Sequence, residues 1–196
     1  MFRGAAAFHQ DIGRWDVSRV TSMEGMFCAT QTFDRPLGSW DVGQVRNMNL
    51  CTAAFNQDLF AWNVGRVTTM AGMFLAAQAF NGDLAGWNVG NVVSMAGMFA
   101  GATAFNRPLP NWNVSGATSL KRMFADTMCF NQPLGNWAVR ADADVQDMFC
   151  GASDFASSRP EVLPAPMELE LEFEYEDEDE DEVEDEDADE DADEDD

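Results

Sequence analysis

Six tryptophans recur along the chain at nearly constant intervals, and this regularity restricts the fold more than any other feature of the sequence. The steps between successive tryptophans are 25, 22, 25, 25 and 25 residues. A series of phenylalanines has the same steps, including one step of 22 residues in the same repeat. Both series therefore place a three-residue deletion between Val45 and Phe55. Such a period is typical of a tandem-repeat protein in which equivalent side chains stack. The two series are Trp15, Trp40, Trp62, Trp87, Trp112 and Trp137, and Phe8, Phe33, Phe55, Phe80, Phe105, Phe130 and Phe155.

The best-preserved repeat runs from Trp62 to Gly86, and its apolar residues follow two periods. Trp62 and Val64 are two residues apart, as in a strand. The next apolar residues are spaced i, i+3, i+4 and i+7, as on one face of a helix, and Thr68 and Thr69 just before them supply hydroxyls for an N-cap. These residues are Met70, Met73, Phe74 and Ala77. The sequence therefore predicts an α/β, leucine-rich-repeat-like solenoid with one short parallel strand and one short helix in each 25-residue coil.

The predicted solenoid covers residues 1–158 in about six coils, the first of them truncated. Met1 and Phe2 align with Met26 and Phe27, so we expect the chain to begin within a repeat and to be a fragment of a longer protein. Residues 159–175 form a proline-containing linker whose alternating end, Met167–Tyr175, either caps the open end of the solenoid as a strand or stays mobile. Residues 176–196 are almost entirely acidic and are predicted to be disordered.

The negative charge is concentrated at the C-terminus. Of the 35 acidic residues, 22 lie between Glu168 and Asp196, whereas the rest of the chain carries 13 acidic residues against 11 basic ones. There is no basic surface typical of nucleic-acid binding, no apolar run long enough to span a membrane and no visible export signal. The tail serves solubility in the simplest interpretation, and recruitment of basic partners or weak calcium binding is the alternative.

Residues for catalysis or metal binding do not form a recognisable set. The single histidine, His9, occupies a position that holds Asn or Asp in most other repeats, so we interpret it as a polar loop residue. The cysteines show no Cys-x-x-Cys spacing, and we expect buried, small apolar side chains, with disulfides as the alternative. These are Cys28, Cys51, Cys129 and Cys150. We predict that the protein is not an enzyme and has no catalytic residues, cofactor or metal site.

Two sets of polar residues recur once per repeat and should stack into ladders. We expect their side chains to satisfy backbone groups in turns, and a repetitive ligand-binding array is the alternative. The sets are Asp16, Asp41, Asn63, Asn88 and Asn113, and Asn56, Asn81, Asn106 and Asn131.

The repeat pattern, with a Trp-Asn-Val or Trp-Asp-Val start, a Met-Phe pair and a later Phe-Asn or Phe-Asp, resembles the BspA-like surface proteins. These are also described as the DUF285 or 25-residue Mycoplasma-type repeat family. The resemblance covers about residues 1–156 and implies a surface or secreted protein used for adhesion or protein binding, without catalytic residues. The chain departs from the family in its acidic tail and in the absence of a signal segment, so the resemblance leaves its location open.

We predict a binding or adhesion module that recognises a protein or a glycan over several coils. The candidate contact positions lie between the tryptophan and the second valine of each repeat and should line one face. They are Arg19, Gln44, Arg66 and Asn91. The alternative is an intracellular structural scaffold whose acidic tail recruits basic partners.

Overall fold

The computed structural model describes residues 1–49 and 52–155. We number the repeats from their tryptophans, and residues 1–14 precede repeat 1. The predicted boundaries after residues 158 and 175, the end-cap strand and the acidic tail all lie outside the described residues. The repeats are Trp15–Ser39, Trp40–Ala61, Trp62–Gly86, Trp87–Asn111, Trp112–Asn136 and a sixth that starts at Trp137.

Aromatic side chains stack from one repeat to the next and form the centre of the core. The indoles of Trp40 and Trp62 are nearly parallel, with ring centroids 6.5 Å apart and planes 3° apart, and Trp62 and Trp87 repeat this geometry. A phenylalanine column runs beside them, for example from Phe80 to Phe105 with centroids 5.9 Å apart. These rings are at most 3% exposed. The prediction that equivalent side chains pile up in columns is therefore confirmed.

Each buried indole also donates a hydrogen bond to the carbonyl oxygen of the residue three positions before the preceding tryptophan. The Nε1–H of Trp62 donates to the carbonyl oxygen of Leu37 at 2.9 Å, and that of Trp87 donates to Leu59 at 3.1 Å. An indole N–H that leaves water needs an acceptor, so this bond fixes each tryptophan against the segment that leads into the preceding tryptophan. The same bond is made from Trp40 to Ile12, from Trp112 to Leu84 and from Trp137 to Leu109.

The prediction of a short helix in each repeat is wrong. Within residues 1–49 and 52–155 there is no α-helix, and a run of four-residue turns takes its place. In repeat 3 the N–H groups of Met73 and Ala77 donate to carbonyl oxygens three residues earlier, at 3.1 and 3.0 Å. Alternate N–H groups donate to repeat 4 instead, which leaves none for the i to i−4 bonds of a helix. These inter-repeat bonds run from Met70 to Ser94, Gly72 to Ala96, Phe74 to Met98 and Ala76 to Ala100.

The helix-like spacing of the apolar residues arises from the turns themselves. The first and last residues of two successive turns, Met70–Met73 and Phe74–Ala77, fall at i, i+3, i+4 and i+7, and all four are at most 1% exposed. The third residue of each turn has a left-handed backbone, with φ of 62° at Gly72 and 57° at Ala76, as in type II turns. Glycine at this position in several repeats is the sequence signal against a helix.

The predicted strand at Trp62–Val64 is wrong, and of the predicted parallel pairing only the parallel direction of isolated bridges is present in the described residues. The chain turns directly after Val64, because the N–H of Val67 donates to its carbonyl oxygen at 2.9 Å. In the described residues pairing is limited to isolated parallel bridges, which lie five residues further along, at Thr69 in repeat 3. The main series of bridges joins Ser22, Asn47, Thr69, Ser94, Ser119 and Asp144 in order, and another bridge joins Thr30 and Thr52.

The expectation of buried cysteines is wrong for two of them. Cys129 and Cys150 are exposed, Cys28 is half-buried, and all three are free thiols. Cys150 is the second residue of the turn that starts at Phe149, and residues at this position differ in burial, since Leu75 is exposed whereas Ala125 is buried. Cys51 lies outside the described residues.

Replacing Ala76 with glycine tests whether this segment is a turn or a helix, because the two structures predict opposite changes in the free energy of unfolding. Glycine relieves the left-handed backbone at this exposed position, so we expect Ala76→Gly to raise the free energy of unfolding by about 1 kcal/mol. In a helix the same change would lower it by about 1 kcal/mol. The exposed residue Ala79 lacks a positive φ, so Ala79→Gly is the matched control and should destabilise. Urea denaturation measures both, and destabilisation by Ala76→Gly would contradict the turn.

Candidate binding face

One exposed face runs along the repeats beside the bridges, and its residues alternate with buried valines. Val45, Val67 and Val92 are at most 1% exposed, whereas the residues on either side of each are exposed. This alternation directs two columns of side chains outward from the same short stretch of backbone. We call these columns the bridge face: Arg19, Gln44, Arg66 and Asn91, and Thr21, Arg46, Thr68, Val93 and Thr118.

Backbone hydrogen bonds between repeats hold the bridge face in place. The N–H of Arg46 donates to the carbonyl oxygen of Thr21 at 2.8 Å, and the N–H of Thr68 donates to that of Arg46 at 2.8 Å. Val93 and Thr118 continue the series at 2.8 Å each. Side chains on this face are therefore carried by a backbone that is fixed on both sides, and such a surface loses little conformational entropy when it binds a ligand.

The four positions that the sequence singled out are all exposed, and the structure brings two of them together. A guanidinium nitrogen of Arg66 donates to the side-chain carbonyl oxygen of Gln44. Asn91 instead donates from Nδ2 to the carbonyl oxygen of Gly65 at 2.8 Å, so its amide is held against the neighbouring repeat. Arg19 lies close enough to Asp16 for its charge to influence that carboxyl group.

Sequence reasoning missed Arg46, which belongs to the same face. It flanks Val45 on the side opposite to Gln44, so the alternation around the second valine was the signal that could have found it. With Arg19 and Arg66 it gives the first three repeats three exposed guanidinium groups, and no acidic residue occurs at any bridge-face position. This end of the face is cationic, although the whole chain has a net charge of −24.

Asp16, the carboxyl group influenced by the charge of Arg19, is engaged in its own turn. Its Oδ1 accepts hydrogen bonds from the Ser18 hydroxyl at 2.6 Å and from the Ser18 N–H at 3.1 Å. These bonds, with a smaller contribution from the charge of Arg19, lower the pKa of Asp16 below its ordinary value. A lowered pKa in the folded state stabilises the protein above the unfolded value near pH 4, and this contribution is lost as the pH falls through the folded pKa.

The polar ladders satisfy backbone groups, as predicted. The Oδ1 of Asn63 accepts the N–H of Gly65 at 3.2 Å, which closes the turn after the tryptophan, and its equivalents do the same. The second ladder works between repeats, since the Oδ1 of Asn56 accepts the N–H of Asn81 at 3.0 Å. Asn81 accepts that of Asn106 in turn, at 3.1 Å. These oxygens are engaged and do not form an open array.

The remaining candidate residues for chemistry are the histidine and the side chains that could bind a metal ion. His9 is exposed, and its Nδ1 lies 2.7 Å from the carbonyl oxygen of Thr32, in keeping with a polar loop residue. In residues 1–49 and 52–155 no group of three or more His, Cys, Asp or Glu side chains could hold a metal ion. Across the same residues no helix is long and apolar enough to cross a membrane.

These features define a class: a tandem-repeat protein with stacked aromatic columns inside, and with one exposed face carried on inter-repeat hydrogen bonds. Over residues 1–51 and 49–161 the chain matches the family described as "Mycoplasma protein of unknown function, DUF285", and it belongs to this family. The resemblance noted in the sequence is thereby confirmed. The two matched stretches meet at residues 49–51, where repeat 2 is shortened. No curated protein and no solved structure matched the chain.

Substitutions at Asn81 test whether the ladder is held by its carbonyl oxygens. Asn81→Ala leaves the half-buried N–H of Asn106 without its acceptor, and we expect a loss of about 1 to 2 kcal/mol in the free energy of unfolding. Asn81→Asp keeps an acceptor oxygen at the same place and should cost clearly less. Chemical denaturation compares the two variants, and equal losses would show that the amide oxygen is not the stabilising group.

Proposed function

We propose that the protein is a non-catalytic binding module whose bridge face recognises a protein or a glycan over several repeats. In this proposal the stack is a leucine-rich-repeat-like solenoid, with turns in place of the helix of each coil, and the solenoid acts as a rigid support for the face. Membership in DUF285 fits this role only in general terms, since the family is described as being of unknown function.

The observation that supports the proposal most directly is the contrast between conserved interior geometry and varied exterior chemistry within this one chain. Aromatic side chains and turn oxygens repeat at equivalent positions in successive repeats, because each is needed for stacking or for a backbone bond. Bridge-face positions change freely between Arg, Gln, Asn, Thr and Val. Positions that accept different side chains without loss of the stack are those that can be fitted to a ligand.

The charge on this face favours a ligand that carries negative charge or hydrogen-bond acceptors. Arg19, Arg46 and Arg66 are exposed, and guanidinium groups pair well with carboxylate, sulfate and phosphate oxygens. Each exposed contact contributes little alone, so we expect recognition to depend on several repeats at once. The acidic tail is then a competitor for the face, and its removal should strengthen binding of an anionic ligand at low salt.

A variant that changes only the face can be built from the chain's own repeats. Arg19→Asn, Arg46→Thr and Arg66→Asn introduce residues found at equivalent positions in other repeats, so the fold should be kept. On glycan and protein arrays we expect this triple variant to lose at least about tenfold in affinity for the ligands of the unmodified protein, which corresponds to about 1.4 kcal/mol. The control is Arg14→Gln, Arg107→Gln and Arg122→Gln, which alters the net charge equally away from the face.

The same arrays separate the two candidate functions when a chain ending at Pro166 is included. Binding that survives removal of the tail but not the triple substitution supports the bridge face. Loss of partners with the tail, and indifference to the arginines, would contradict the proposal and favour a scaffold that recruits basic partners through its acidic residues.

A further inference from the structure

Asn81 is the only asparagine of the chain that is followed by glycine. Its side chain is an amide, and the backbone nitrogen of the next residue is close enough along the chain to attack the amide carbon Cγ. Glycine favours this attack, because it has no Cβ to crowd the closing ring or to restrict the backbone. The other members of the second ladder precede long side chains, in the pairs Asn56–Gln57, Asn106–Arg107 and Asn131–Gln132.

The two nitrogens that would take part in such a reaction are both free of hydrogen bonds. Within residues 1–49 and 52–155 the N–H of Gly82 donates to no acceptor, and the Nδ2 of Asn81 has no partner. Both residues are half-buried, so solvent reaches the amide. The attacking nitrogen and the leaving nitrogen can therefore react without first breaking a bond of the fold.

The side-chain carbonyl of Asn81 is polarised by the fold. Its Oδ1 accepts the N–H of Asn106 at 3.1 Å. A donor at this oxygen stabilises the negative charge that develops there when Cγ is attacked, as in an oxyanion hole. The backbone of Asn81 is also held on both sides, by the Oδ1 of Asn56 at 3.0 Å and by the Nε of Arg107 at 2.8 Å. The amide thus occupies one fixed position, with its carbonyl activated.

We propose that Asn81–Gly82 is a self-modification site, at which the folded chain converts Asn81 to isoaspartate and aspartate without an enzyme. The nitrogen of Gly82 bonds to Cγ and gives up its proton, the Cγ–Nδ2 bond breaks, and ammonia leaves with that proton. A cyclic imide remains, which one water molecule opens. Hydrolysis between Cγ and the Gly82 nitrogen gives aspartate, and hydrolysis between the backbone carbonyl carbon and that nitrogen gives isoaspartate.

Isoaspartate at this position changes the contact between repeats 3 and 4. The main chain then passes through Cβ and Cγ, so it gains a methylene group between Phe80 and Leu84, which are both fully buried. The carbonyl oxygen of Leu84 accepts the indole N–H of Trp112 at 3.0 Å. A displaced Leu84 weakens this bond, whereas Trp40 is bonded to a distant acceptor, Ile12, and is unaffected. The reaction therefore loosens one junction of the stack slowly and irreversibly.

Incubation of the full chain at mildly alkaline pH, followed by peptide mass spectrometry, measures the reaction at every asparagine. We expect conversion at Asn81 to be at least about tenfold faster than at Asn56 and Asn106, which are internal controls from the same ladder. NMR of the modified chain should show hydrogen exchange of the Trp112 indole accelerated at least about tenfold, with the Trp40 indole unchanged.

Two reciprocal substitutions test whether the glycine is the cause. Gly82→Gln introduces the residue of repeats 2 and 5 and should slow conversion of Asn81 at least about tenfold. A Cβ at Gly82 would lie 3.0 Å from two ring carbons of Phe80, so the ring must shift in this variant. Arg107→Gly avoids that contact, places glycine after Asn106, and should make Asn106 react about as fast as Asn81 does.

Conversion of Asn81 no faster than that of Asn56 and Asn106 would overturn the proposal. Equal rates in the Gly82→Gln chain, or no gain at Asn106 in the Arg107→Gly chain, would show that glycine is not the cause and would also overturn it. Reaction only in urea, where the stack is unfolded, would mean that the fold protects the site and would contradict the proposal as well. These outcomes are independent of ligand binding at the bridge face, which the arrays measure separately.

Discussion

The hydrogen bond from each buried indole to the carbonyl oxygen three residues before the preceding tryptophan is the interaction on which the stack depends. Tryptophan brings a large apolar surface and one donor that must be paired when it is buried. A shift of register by one residue would unpair the indole of Trp87 from Leu59 and misplace the phenylalanine columns beside it. The aromatic stacking and the backbone bonds between repeats therefore hold only in one alignment.

The same bond explains why a shortened repeat is tolerated. From Trp62 the acceptor lies 25 residues back, at Leu37, whereas from Trp87 it lies 28 residues back, at Leu59. The deletion falls in the turn segment, away from the tryptophan and its acceptor, so the register of the neighbouring repeats is kept. What changes is the length of the turn segment of repeat 2, which is three residues shorter than its equivalents.

Much of the interior could be predicted from the sequence, because the period fixed which side chains are equivalent. Met70, Met73, Phe74 and Ala77 are buried as expected, and the ladder of Asn81 satisfies backbone groups as expected. The prediction of a helix was wrong because the first and last residues of successive four-residue turns have the same spacing as residues on one face of a helix. Apolar periodicity cannot distinguish the two structures. Of the face, the sequence indicated Gln44 and Arg66 but not their pairing or the contribution of Arg46, since these depend on how repeats align in space.

The central claim is that each buried indole is bonded to the carbonyl oxygen three residues before the preceding tryptophan. Hydrogen exchange at the six indole N–H groups tests it most directly. Trp15 is 43% exposed and its indole has no acceptor within residues 1–49 and 52–155, whereas the other five are at most 3% exposed and hydrogen-bonded. NMR of the ¹⁵N-labelled chain should show five slowly exchanging indole signals and one fast signal from Trp15. Rapid exchange of all six indoles would contradict the account.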